Sequence, residues 1–232
     1  MTADYRLIKK LDALALKTVT HWRMVDGVLP VPFPLVVLAD VDLAAYLSLW
    51  DSRGGLLRVL DAQKLSQKLA VGALRLAKAA LYKRMKGFRG MMLAYWQGTK
   101  WMAALPLLPH AAAGAEEFLA PMEYASLLWS RLAPLPPPVP SVPPVLADGY
   151  DAADFARDFA ELQRLWRVVD VARLEVRIAH GALWVYYEKM VSALMAYPHA
   201  ARSRLALGTP LAETIPRTWP RRKPARSPDE VR

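Results

Sequence analysis

The chain has 232 residues, 54% of them hydrophobic, and a formal net charge of +10 at neutral pH. That apolar content excludes global disorder and supports a sizeable core. The absence of cysteine excludes disulfide frameworks, Cys-ligated zinc and thiol nucleophiles, and fits a reducing, cytoplasmic setting.

Residues 3–25 carry Leu7, Leu11, Leu14, Leu16, Val19 and Trp22 at mixed spacing and predict a helix, although Thr18-Val19-Thr20 also suits a strand. Asp4 and Arg6 interrupt the opening run, so no secretory leader is expected. Asp26-Gly27 is expected to end the helix, and Pro30, Pro32 and Pro34 force an extended connection. Asp40 or Asp42 can cap a helix over 42–53 with an apolar face of Leu43, Tyr46, Leu47 and Trp50. Gly54-Gly55 is expected to end or bend it.

Residues 56–86 predict a helix that continues toward Leu105, with a break near Gly87–Gly90. Val59, Ala70, Leu74, Ala77, Leu81, Phe88, Met92 and Tyr95 share one side. On the other side Arg53, Lys64, Lys68, Arg75, Lys78, Lys86, Arg89 and Lys100 fall within roughly an 80° arc, taking about 100° per residue. Residues 53–100 hold eleven basic residues and one acidic, Asp61, so the excess charge of the chain is concentrated here and in the tail 217–232. A stripe of this kind can track nucleic-acid phosphates or an anionic surface. It can equally be a solvated face, or be matched by acidic residues of the same chain.

Pro106 and Pro109 end that segment, residues 110–115 form a small-residue linker, and 115–132 predict a further helix with Pro121 inside its first turns. Residues 134–144 contain seven prolines and are expected to be extended polyproline II, a boundary or a strap laid across helices. Arg131 ahead of Pro134-Leu135-Pro136-Pro137 has the form of an SH3 ligand, but such patterns arise in any proline run.

Asp151 can cap the next helix, with Asp154 approximating a capping box. From Phe155 to Tyr197 apolar residues recur at alternating spacings of four and three: Phe155, Phe159, Leu162, Trp166, Val169, Val176, Leu183, Tyr187, Met190, Leu194 and Tyr197. Only Arg173 and His180 interrupt this seam, and a polar pair at such positions can fix register. Asp151, Asp154, Asp158 and Glu161 form an acidic stripe beside it, and Pro198 is expected to end the element, which is one helix or two. In the tail, Trp219 with Arg221 and Arg222 reads as an anchor onto this chain or a partner.

Chemistry-bearing motifs are lacking. No serine lies in a G-x-S-x-G context and no glycine-rich phosphate loop occurs. His21, His110, His180 and His199 make no ligand pair at helical spacing. No cofactor, metal or catalytic residue is assigned. The prolines that break the longest uncharged runs, 28–39 and 132–147, leave no transmembrane segment.

The expected fold is all-α, an elongated antiparallel bundle with two long helices and proline-rich straps. Its segments are an N-terminal helical region 1–133, a strap 134–147, a long heptad-patterned helix with an extended segment over 148–216, and the basic tail 217–232. The leading functional expectation is a non-enzymatic scaffold subunit, a homo-oligomer or a member of a larger assembly. The second is a nucleic-acid or anionic-surface binder using the basic face and tail. An enzyme or cofactor binder with Arg173 and His180 in a pocket is the third.

Overall fold

The computed structural model describes residues 5–30, 34–38, 40–132 and 144–216, with side chains from residue 10 onward. Most of the proline strap and the whole tail from residue 217, including Trp219, Arg221 and Arg222, lie outside the described residues. The fold is all-α. Helices run over Tyr5–Val28 (α1), Leu43–Tyr95 (α2), Lys100–Ala103 (α3), Ala115–Ser130 (α4), Ala152–Arg204 (α5) and Pro210–Glu213 (α6). Among the described residues the only β pairing is one isolated bridge, Val37 to Val41. The two long helices, α2 and α5, pack together.

The helix starts follow the capping residues. Asp42 Oδ1 accepts from the Ala45 amide at 2.7 Å. Asp151 Oδ1 accepts from the Asp154 amide at 3.0 Å, and Asp154 Oδ2 accepts in return from the Asp151 amide at 3.4 Å. This reciprocal pair satisfies amides that have no partner inside a helix.

The expected stops behave differently. α1 passes Asp26-Gly27 to Val28, α2 passes Gly54-Gly55 and Gly87–Gly90 without interruption, and α5 passes Pro198 to Arg204. A helical glycine costs about 0.5–1 kcal/mol, and burial on either side outweighs that. Phe88 and Met92, beside Gly87–Gly90, are fully buried. Gly87 also has a packing role, since a Cβ there would stand 3.1 Å from Leu146 Cδ1. Asp26 is a clamp, not a stop: its Oδ1 accepts from the Leu35 amide at 2.8 Å, and Trp22 Nε1 donates to the Leu35 carbonyl at 3.2 Å.

The chain divides into two compact units, Met1–Val59 with Ala179–Arg232 and Leu60–Ile178. In the first, α1 presents Leu11, Ala15, Val19, Trp22 and Val25 as a buried stripe. Trp22 lies 5.7 Å from Tyr46 and 5.1 Å from Tyr197, ring centre to ring centre. In the second, the core joins Leu81, Met85, Phe88 and Met92 of α2 to Phe118, Met122 and Trp129 of α4 and Phe155, Phe159 and Leu162 of α5. Trp129 stacks on Phe88 at 4.5 Å and donates from Nε1 to the Pro144 carbonyl at 2.5 Å. That bond ties the residue that ends the proline run to the core.

Candidate functional site

The basic face separates into recruited and exposed cations. In the first unit, the Arg53 guanidinium is ion-paired with Asp12 and lies 5.6 Å from the centre of the Trp50 ring. In the second unit Lys78 is drawn inward. Its ammonium donates to the Ala113 carbonyl at 2.6 Å and sits 4.5 Å from the Phe118 ring centre and 5.4 Å from that of Trp166. Burial lowers its pKa, because desolvation disfavours the charged form. Arg89 donates to the Pro106 carbonyl, Lys86 covers Tyr82 at 5.1 Å and Lys100 covers Trp101 at 5.0 Å. Arg84 pairs with Asp148 and lies 4.2 Å from the Tyr150 ring centre. The hydrogen bond from Arg84 holds the Asp148 carboxyl below its ordinary pKa.

Lys64, Lys68 and Arg75 are exposed and pair with no carboxylate among the described residues. The shallow groove beside them is lined by Gln67, Lys68, Val71, Gly72 and Arg75, all on α2. A hollow lined by one helix is a dent where Gly72 lacks a side chain, not an enclosing site. The acidic stripe of α5 does not meet these cations. Asp154 and Asp158 hold Arg157 at 2.8 and 3.7 Å, Glu161 holds Arg164 at 2.7 Å, and Asp158 also accepts from the Tyr150 hydroxyl at 2.8 Å.

Over its middle, one row of the α5 seam is displaced from its expected line. One row of the heptad is as expected: Leu162, Val169, Leu183, Met190 and Tyr197 are buried. The other row is as expected at its ends, where Phe159 and Leu194 are buried, but between them it runs through Leu165, Ala172, Ala179 and Tyr186, each one residue before the expected Trp166, Arg173, His180 and Tyr187. Arg173 is therefore not a seam residue. Its side chain is 56% exposed and reaches Asp170 at 3.0 Å. His180 is half-buried beside the row, not within it. The physical reason is that alanines at 172 and 179 allow close approach of backbones, whereas a guanidinium in the seam needs a buried partner. Arg173 and His180 thus form no polar pair in a pocket.

A second feature lies on the outward faces. Behind its seam α2 carries Ala62, Leu65, Leu69, Gly72, Leu76 and Ala79, again at spacings of three and four. Leu65, Leu69 and Leu76 are 58%, 67% and 75% exposed. α5 carries Val171, Leu174 and Ile178 in the same pattern, 56%, 52% and 63% exposed. The signal for both was present in the sequence as a second heptad set, hidden by the stronger one.

The first unit also buries polar groups. His21, 3% exposed, donates from Nε2 to the Leu211 carbonyl at 2.8 Å, so Nδ1 accepts from the Tyr197 hydroxyl at 2.6 Å. This joins α1, α5 and α6. The imidazole is enclosed with both nitrogens engaged, which suits a structural histidine and not an accessible base. The Tyr46 hydroxyl is buried with no partner among the described residues. Burial raises the pKa of Tyr46, Tyr150 and Tyr197 far above the ordinary phenol value, and that of Tyr186 to about 12.

Among the described residues, no group of three or more His, Asp or Glu is placed to hold a metal ion. No helix among them is long and apolar enough to cross a membrane. Comparison with known proteins finds no matching family, no matching curated protein and no matching solved structure.

Proposed function

We propose that the chain is a non-enzymatic helical scaffold subunit that associates with copies of itself or docks in a larger assembly, as an antiparallel bundle braced by its proline-rich strap and working in the cytoplasm. The observation that carries this reading is the pair of outward heptad stripes on the two long helices, which remain exposed after each helix has buried its inner seam. Scattered surface leucines need no explanation, but apolar side chains repeating in heptad register are what one helix offers another. Light scattering coupled to size-exclusion chromatography tests it. A defined oligomer that persists in about 1 M salt, where screening is strong, is the expected result. A monomer at all accessible concentrations refutes self-association.

A second reading, binding of nucleic acid or another anionic surface, is favoured by one observation: Lys64, Lys68 and Arg75 stand exposed without carboxylate partners among the described residues. Counterion release makes log affinity fall with log salt by close to one unit per phosphate contacted. Lys64→Glu with Lys68→Glu is expected to reduce both affinity and slope. Salt-insensitive or absent binding removes this reading.

A further inference from the structure

We infer that the outward stripe of α5 is a self-complementary interface, on which a second copy of this chain packs its own α5 in antiparallel orientation. The inference rests on the self-association reading above and names its surface.

Val171, Leu174 and Ile178 form the apolar row. Asp170 and Arg177 lie one heptad apart on the same flank of that row, and both are exposed. In an antiparallel helix pair related by a two-fold axis, each flank faces the same flank of the partner. A two-fold axis passing between Val171 and Leu174 sets Val171 against the partner's Leu174, and Leu174 against the partner's Val171. The same operation sets Asp170 beside the partner's Arg177 and Arg177 beside the partner's Asp170. Arg167 ends the row, its aliphatic stem lying over the partner's Ile178 with its charged head free for solvent. One placement therefore satisfies the apolar row and both charge pairs, twice over.

The charges are available for this. Arg177 has no ion-pair partner among the described residues. Among the described residues Asp170 is held only by Arg173, in a pair whose side chains are 66% and 56% exposed, an arrangement of little energetic consequence. The outward stripe of α2 lacks this symmetry. Lys64, Lys68 and Arg75 flank its leucines, and Asp61 is the only acidic residue between residues 53 and 100, so two copies of that face would bring cations together. Charge complementarity thus selects α5 as the homotypic surface.

The test uses the full chain and sedimentation equilibrium, with circular dichroism to confirm that each variant is folded. Leu174→Glu is expected to give a folded monomer, because residue 174 is exposed in the single chain and buried only between copies. Asp170→Arg is expected to raise the dimer dissociation constant about tenfold or more, since it sets cation against cation twice. The double variant Asp170→Arg with Arg177→Asp is expected to restore dimerisation. Leu69→Glu, on α2, is expected to leave the dimer intact. A Leu174→Glu protein that still dimerises, or a double variant no better than Asp170→Arg alone, overturns this interface while leaving self-association standing. A wild-type chain that is monomeric throughout overturns both.

Discussion

Two tyrosines of equal burial give opposite predictions. Tyr46 and Tyr197 are each 0% exposed, lie in the same compact unit and flank the same indole, Trp22. They differ at the hydroxyl. That of Tyr197 donates to His21 Nδ1 at 2.6 Å, whereas that of Tyr46 is buried without a partner among the described residues. Tyr197→Phe strands the Nδ1 lone pair of a histidine that is 3% exposed and whose other nitrogen is committed to the Leu211 carbonyl. The cost of such an orphaned acceptor is about 1–3 kcal/mol, a loss of about 2–4 °C in Tm for each kcal/mol in a chain of this size. Tyr46→Phe removes a hydroxyl that is desolvated and unrewarded, so stability is expected to stay level or to rise by up to about 1–3 kcal/mol. Urea unfolding followed by circular dichroism measures both on one scale. Equal losses from the two substitutions would refute the hydrogen-bond assignment and leave ring packing as the sole role of both residues.

Other outcomes follow from the same geometry. Gly54→Ala and Gly55→Ala are each expected to stabilise by about 0.5–1 kcal/mol, because the helix runs through them and a Cβ meets nothing within 4 Å; destabilisation in thermal melts would mean a bend at that point. Lys78→Met is expected to cost about 1–3 kcal/mol through the lost carbonyl bond and cation–π contacts, against about 0.5 kcal/mol or less for Lys64→Met on the open face. Equal effects in denaturant titrations would remove Lys78 from the core. Burial raises the Tyr186 pKa from 10.0 to about 12, so the folded chain holds its phenol proton after the unfolded chain has released it. That contribution is complete below pH 10.0 and is lost as pH rises toward about 12, with Tyr46, Tyr150 and Tyr197 acting in the same direction. Phenolate absorbance is therefore expected to lag in the native state and to jump with unfolding; free titration of all tyrosines near pH 10 would contradict the burial.

Much of the architecture was legible because it is local. Heptad spacing announces helices wherever they pack, and Asp42 and the Asp151–Asp154 pair mark helix starts through bonds made within a few residues. Breaker residues were misleading for the opposite reason. A glycine penalty is fixed at about 1 kcal/mol or less, while the burial that overrides it at Phe88 and Met92 comes from residues distant in the chain.

By itself, then, the sequence determined that this chain is helical, that one long helix begins at the Asp151 cap and that positive charge concentrates on the other, whose first turns it assigned to a separate helix over 42–53. Only the tertiary structure decided which face turns inward. The α5 seam settled on Ala172 and Ala179, not on Arg173 and His180, because periodicity leaves a one-residue rotation open and the need to keep a guanidinium solvated closes it. The same step decided which cations are structural. Arg53, Lys78 and Arg89 found Asp12, the Ala113 carbonyl and the Pro106 carbonyl, while Lys64, Lys68 and Arg75 stayed in solvent. A helical wheel places all six on one arc, since it records direction about an axis and not what stands opposite it.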